Sequence, residues 1–388
     1  MENSKRLLDG LKVVELATYV AAPTCAKLLA DMGAEVIKIE SPAGDPGRYG
    51  LEGPDRVCPR FEVCNSGKKS VVLNLKTPEG MAAILELLAG ADVFVTNNRR
   101  QALLRLGLDH ETLRTRFPKL IYAWLTGYGE KGPEADSPGF DASAFWAKSG
   151  FMADMIVKTP GSYPMNTPLG VGDTITGSIL YSSILAALIR RMQTGQGDFV
   201  TASLYNAGIW AACGMIAVEQ RSRRMPVTRE QCSAESTTYQ CADGQWIMTC
   251  ILEYDRYAPA FYEALGYPGL LKDPRFDTPL KRYQRNGELQ ELAAAAFAAK
   301  TSDEWLRILS ERDIVTTRVE HFADVPNSEQ AWANGYLDRV RYANGEEYVY
   351  PSPPFHMESQ TPSRLTAAPR LGADTEEVLS RLGGRDEV

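Results

Sequence analysis

Histidine is nearly missing from this chain: His110, His321 and His356 are the only three in 388 residues. None stands in a G-x-S-x-G or H-E-x-x-H frame, so serine-hydrolase and zinc-peptidase chemistry have no support. The cysteines (Cys25, Cys58, Cys64, Cys213, Cys232, Cys241 and Cys250) are odd in number and scattered, with no C-x-x-C pair. That argues against a thiolate metal site and a disulfide framework, and predicts a reduced, cytoplasmic protein with no metal. The glycines of a dinucleotide fingerprint are also lacking. The first strand-to-helix turn reads Ala17-Thr18-Tyr19-Val20-Ala21-Ala22-Pro23-Thr24, which disfavours a nicotinamide enzyme, and no Walker loop occurs. No uncharged run of 18 apolar residues and no secretory h-region after Met1–Arg6 are present, so neither a membrane span nor a signal is expected. A formal charge of -7 gives no general attraction for nucleic acid or an anionic membrane. Local basic patches can still hold a phosphorylated ligand.

What is present is an α/β pattern. At roughly 100–200 residues per domain, the length predicts two or three domains. Apolar runs at Lys12–Leu16, Glu35–Glu40, Ser70–Leu75, Asp92–Thr96 and Leu120–Thr126 read as strands, separated by helical stretches. Thr77 reads as the N-cap and Pro78 as the first residue of one such helix. Strand–helix alternation predicts a parallel sheet with ligands at the carboxyl ends of the strands. That places Ala17–Ala22, Lys76, Asn97 and Thr126–Gly129 along one rim. Asp173–Met192 is the most apolar helical stretch, expected to be buried and stopped at Thr194-Gly195. Further on, a hairpin is predicted around Ala242-Asp243-Gly244, a capping box at Thr301–Glu304, a second hairpin at Asn344-Gly345 and a last helix over Asp374–Leu382. The expected organisation is a large domain over 1–200 completed by 330–388, a linker helix over 201–225, a small α+β domain over 226–320, and a return segment over 321–388.

Two aspartates stand out. Asp173 follows Gly170-Val171-Gly172 at the start of the apolar helix. It reads as an N-cap, and at a helix N-terminus its carboxylate is expected to stay ionised. The glycines before it are expected to open space for a ligand. Asp141, in Pro138-Gly139-Phe140-Asp141, reads as a turn or capping aspartate. Lys68, Lys69 and Lys76 flank the third strand, and Arg99, Arg100 and Arg105 follow the fourth, near enough to the rim to meet phosphates. Tyr19, Phe140, Phe145 and Trp146 suggest an apolar or aryl pocket, or core.

In order and spacing, these segments resemble the family III CoA-transferases, of the formyl-CoA transferase and carnitine CoA-transferase types. The resemblance is carried by Leu8–Leu16, Ala21-Ala22-Pro23, Leu29–Glu40, Asn65, Lys68-Lys69-Ser70, Leu73–Lys76, Thr126–Gly129, Pro138–Asp141, Gly172-Asp173, Thr194–Gly197 and Ala368–Gly372. It implies a Rossmann-like large domain plus a smaller domain, in an interlocked homodimer. It implies that CoA moves from an acyl-CoA to a free carboxylic acid through a covalent state on Asp173, with no permanently bound cofactor. CoA contacts are implied at Val20, Ala21, Leu73, Asn74, Leu75, Lys76, Asn97, Asn98, Arg99, Arg105, Pro138, Gly139, Phe140 and Asp141.

Two departures narrow the reading. Cys232–Thr237 lacks the glycine run of formyl-CoA transferases, which argues against oxalate or formate. Phe140 stands where the related acyl-CoA racemases have histidine. Racemisation needs a base on each face of the α-carbon, so an acyl-CoA racemase or epimerase is the alternative and transfer the preferred reading. Gly127–Pro133 and Ala331–Asn334 are similar to the subgroup acting on 2-hydroxyacyl-CoA and enoyl-CoA in fermentation, phenyllactate CoA-transferase among them.

Overall fold

The computed structural model describes residues 6–49, 58–155, 162–165, 167–168, 170–221, 228–342, 344–359 and 365–382. Leu169, beside the Asp173 motif, and the expected small-domain start at Pro226 lie outside them. The chain forms two compact units: Met1–Met152 with Asn166–Ile216 and Glu329–Val388, and Ala153–Met165 with Ala217–Ser328.

The first unit is built on a six-stranded sheet: β1 (Lys12–Leu16), β2 (Glu35–Glu40), β3 (Lys69–Val72), β4 (Val93–Thr96), β5 (Ile121–Thr126) and β6 (Phe199–Ser203). The order is β3-β2-β1-β4-β5-β6, and every neighbouring pair is parallel. Such strands are covered on both faces and read as apolar runs; β4 and the first five residues of β5 are buried throughout. Five of these strands follow from the pattern. β6 does not, because Phe199–Ser203 is short and its first three residues are only half-buried. Order reverses between β1 and β4, so the crevice between their carboxyl ends is where a ligand is expected.

The helix Pro78–Ala89 starts as its sequence predicts, with Thr77 Oγ1 accepting the N–H of Gly80 at 3.2 Å. The helix Val171–Thr194 departs from expectation. Gly170, in the left-handed region at φ 93°, is its N-cap, and Asp173 is its third residue. Nor is it buried all round. Gly172, Thr176, Gly177, Leu180, Tyr181, Ile184, Ala187 and Leu188 form the buried face, while Val171, Ile175, Ile189 and Met192 are exposed. Gly177 explains the close approach of the helix Ala21–Asp31: a Cβ there would lie 2.4 Å from the Ala21 carbonyl oxygen. By length and composition this 24-residue helix could cross a membrane. Here its inner face packs on the helix Ala21–Asp31 and on β5 and β6. All six of its serine and threonine hydroxyls (Thr174, Thr176, Ser178, Ser182, Ser183 and Thr194) donate to the carbonyl one turn back, at 2.7–3.0 Å.

The return segment closes the β3 edge. Asp374 accepts the Ser70 N–H at 2.8 Å and donates its own N–H to the Ser70 carbonyl at 3.0 Å. The helix Thr375–Ser380 then buries Val378 against the sheet core. The hairpin predicted at Asn344-Gly345 joins β10 (Leu337–Arg341) to β11 (Glu347–Pro351).

In the second unit β7 (Thr238–Gln240), β8 (Trp246–Thr249) and β9 (Thr316–Arg318) form an antiparallel sheet. Helices over Tyr254–Ala264, Asn286–Phe297 and Ser302–Ser310 bury Phe261, Phe297 and Trp305 in a core with Tyr239 and Ile247. The capping box forms as predicted: Glu304 donates its N–H to Thr301 Oγ1 at 3.3 Å, and Glu304 Oε2 accepts the Thr301 N–H at 2.8 Å.

Candidate active site

At the switch point Thr18 and Asn97 bridge the ends of β1 and β4. Asn97 Oδ1 accepts the Thr18 N–H at 3.1 Å, and its Nδ2 donates to the Thr18 carbonyl at 2.8 Å. Thr96 Oγ1 adds a bond to the Leu16 carbonyl at 2.8 Å. A cavity of about 290 Å³ opens there, lined by Tyr19–Ala21, Asn97–Arg100, Ala135–Phe140 and Asp173. A second, of about 440 Å³, shares Thr18 and Asn98 with it and runs along Leu73–Lys76 to Arg105.

Asp173 reaches the first cavity from the start of its helix. Asp141 determines how. It is 5% exposed, and its Oδ2 accepts the Gly170 N–H at 3.0 Å while Oδ1 accepts the Asp173 N–H at 3.0 Å. A residue some thirty positions away therefore supplies the cap that Asp173 was expected to supply. Gly172 serves this packing rather than a ligand. A Cβ there would lie 2.3 Å from Phe145 Cγ and 2.5 Å from Asp141 Oδ1.

The expectation that Asp173 stays ionised is also corrected. Burial first, and then the Asp141 charge, push its pKa up to about 7, with Arg60 pulling the other way. The helix terminus favours the anion, but removal from water beside a second carboxylate outweighs it.

Tyr19 carries unusual backbone geometry. With Asp313 it is one of two non-glycine residues at positive φ among those described, at 66°. Asp45 Oδ1 holds it there by accepting its N–H at 3.1 Å. Asp45 is fixed in turn by Lys38, whose ammonium lies 2.9 Å from Asp45 Oδ2, 2.9 Å from Glu15 Oε1 and 2.9 Å from the Ala17 carbonyl. Lys68 completes the group, 2.6 Å from Glu15 Oε2 and bonded to Asn65 and the Pro23 carbonyl. Burial disfavours charge on Glu15, but the two ammonium groups outweigh it and lower its pKa. Burial wins at Lys68, pulling it down to about 8.

The structure sorts the sequence candidates. Val20, Ala21, Asn97, Asn98, Arg99, Pro138, Gly139 and Phe140 line the cavity that holds Asp173; Leu73, Asn74, Leu75, Lys76 and Arg105 line its neighbour. Asp141 lies beneath the first cavity instead of lining it. Of the cations expected at the rim, Lys68 is consumed by the buried network, and Lys69 pairs with Glu35 and Glu377. Lys76, Arg99, Arg100 and Arg105 do face the cavities. Phe145 and Trp146 are core, whereas Tyr19 and Phe140 are exposed to the cavity. Arg60 and the strained backbone of Tyr19 escaped the sequence reading: one is a lone cation on a short helix, the other a conformation that its residue type does not signal. No group of three or more histidine, cysteine, aspartate or glutamate side chains suited to a metal occurs among the described residues.

A parallel sheet carries Asp173 at its switch point, beside a divided crevice edged with cations, and comparison with known proteins supplies the class. The profile of CoA-transferase family III matches residues 8–375, and the chain belongs to that family. It is 38% identical over 98% of its length to (R)-2-hydroxy-4-methylpentanoate CoA-transferase of Clostridioides difficile, covering 96% of that protein. It is 36% identical over 99% of its length to cinnamoyl-CoA:phenyllactate CoA-transferase of Clostridium sporogenes, covering 95% of it. A CAIB/BAIF family protein of Brucella suis superposes with a TM-score of 0.84 at 27% identity, over 98% of this chain and 100% of that one. The chain is thus an enzyme that transfers CoA between an acyl-CoA and a carboxylic acid.

Proposed function

We propose that Asp173 is the nucleophile of a transfer between 2-hydroxyacyl- or enoyl-CoA thioesters and the matching free acids, the substrate class named for the two clostridial relatives. The observation that carries it is a carboxyl group, partly withdrawn from water, on the wall of the cavity at the switch point. A pKa near 7 makes its anion a stronger base, and so a better nucleophile, than a surface aspartate, while leaving it about half ionised at neutral pH.

The Asp173 carboxylate attacks the thioester carbonyl. A C–O bond forms, the C–S bond breaks, and CoA leaves as thiolate, giving a mixed anhydride. The thiolate attacks the aspartyl carbonyl, releasing the donor carboxylate and leaving an aspartyl-CoA thioester. The acceptor carboxylate attacks that thioester and expels the thiolate. The thiolate then attacks the new acyl carbonyl, giving the product acyl-CoA and free Asp173. In this reading backbone N–H groups other than those of Gly170 and Asp173, which Asp141 takes, stabilise each oxyanion. In this reading CoA lies across both cavities, with Lys76, Arg99 and Arg105 meeting its phosphates and Leu73–Leu75 its apolar parts.

The working unit in this reading is an interlocked homodimer. The exposed apolar side of the helix Val171–Thr194, with exposed Trp210 and Met215 further along the same chain, supports a covered surface. The large domain binds CoA in this reading, and the protein acts in the cytoplasm.

The test is trapping. Acyl-CoA plus hydroxylamine should convert one side chain to a hydroxamate, and peptide mapping should place it at Asp173. A hydroxamate at any other residue overturns the assignment.

A further inference from the structure

The cavity around Asp173 has one aromatic wall, and its construction is costly. Tyr19 is 45% exposed and Phe140 59% exposed, both facing the cavity. Apolar rings are left in water where a ligand is to displace that water. The two rings meet edge to face, with centroids 5.7 Å apart and planes at 89°, so each limits the other's rotation.

Both rings are also pinned from behind. Tyr19 sits in a left-handed conformation that non-glycine residues seldom adopt. The buried Lys38–Asp45 pair keeps it there through its N–H. Phe140 directly precedes Asp141, the residue that holds the N–H groups of Gly170 and Asp173. Its N–H is tied to Ser143 Oγ at 3.0 Å. The ring and the nucleophile therefore share one attachment point.

We infer that Tyr19 and Phe140 are the specificity-determining pair of this site, selecting acyl groups with an aryl or branched alkyl end over short or distally charged ones. The inference rests on Asp173 being the nucleophile. The acyl carbon must lie within reach of Asp173, so the acyl chain extends from it onto the adjacent rings. Stacking and apolar burial favour a phenyl or isobutyl end. A second carboxylate on the chain would lose its water against two rings that offer it no compensating charge.

The test uses the full-length enzyme, one fixed acceptor acid that matches none of the donors (butanoate) and four donors: 3-phenylpropanoyl-, 4-methylpentanoyl-, acetyl- and succinyl-CoA. Tyr19→Asn removes the ring but keeps a residue that tolerates the left-handed backbone; Phe140→Ala removes the other ring and leaves its N–H. The wild type is expected to prefer the two apolar donors over acetyl- and succinyl-CoA in kcat/KM. Each variant should lower the phenylpropanoyl-to-acetyl ratio at least tenfold, the scale of losing apolar contacts in a pocket, and Tyr19→Phe should keep the wild-type ratio. An unchanged ratio in both ring deletions, or wild-type preference for succinyl-CoA, overturns the inference while transfer through Asp173 stands. Hydroxamate at a residue other than Asp173 overturns the nucleophile assignment and this inference together.

Discussion

Asp141 caps the helix that carries Asp173: one of its carboxylate oxygens accepts the Asp173 N–H and the other the Gly170 N–H, each at 3.0 Å. The same group that fixes the backbone of the proposed nucleophile also repels its charge, adding to the larger effect of burial. Positioning and part of the basicity are therefore set by one side chain. In wild type the single-turnover rate of aspartyl-CoA formation is expected to rise with pH through a midpoint near 7, because only the anion attacks. Asp141→Asn removes the negative charge and keeps an oxygen that can accept one N–H, so the midpoint should move to lower pH. A pH profile that stays where it was would show that burial alone sets the value.

Asp173→Asn should lower kcat by at least a thousandfold, since an amide cannot form the anhydride. The same variant should be more stable than wild type in alkaline buffer. A carboxyl whose folded pKa is raised favours the native state while it is protonated. That contribution is complete below its unfolded pKa near 4 and is lost as pH rises through about 7. At pH 8 the substitution should therefore gain about 2 kcal/mol, after discount for partial exposure, and near pH 4 almost nothing. Thermal melts at both pH values check the sign.

Lys38→Met should destabilise the first unit by about 3–5 kcal/mol, because Asp45 then loses its ammonium partner while buried and Glu15 keeps only Lys68. Urea denaturation followed by tryptophan fluorescence measures it. Asp45→Asn in the Lys38→Met background should recover part of the loss, since it removes the stranded charge.

Gly172→Ala places a methyl on Phe145 and on the Asp141 carboxylate. Both neighbours hold the helix start that carries Asp173, Asp141 by its hydrogen bonds and Phe145 by core packing, so turnover should fall at least tenfold. CoA binding along Leu73–Lys76, measured by calorimetry, should change less than threefold. Equal loss in both would mean that the helix start and the second cavity move together.

Much of this arrangement is legible in the chain itself. Five of the six parallel strands follow from short apolar runs, and Thr77-Pro78 and Thr301–Glu304 specify helix starts through local chemistry that tertiary contacts do not alter. Local pattern marks Asp173 only as a helix cap beside glycines; its role as nucleophile is implied by the resemblance to the family III CoA-transferases. What local reading could not supply is long-range. Gly170 took the capping position because Asp141 arrives from another segment. Lys68 turned inward because Glu15, over fifty residues away, needed a second cation. The helix Val171–Thr194 read as buried because apolar content does not say how many of its faces find a neighbour within one chain.

That helix has a property that composition hides. Each serine and threonine hydroxyl along it is already donated to the turn behind, so between Thr174 and Ile189 its solvent side presents apolar groups and hydroxyls whose protons are committed. Drying that strip against another surface strands nothing polar and gains whatever apolar area is covered. A helix wired in this way can change its surroundings from solvent to protein without rearranging a single one of its own hydrogen bonds.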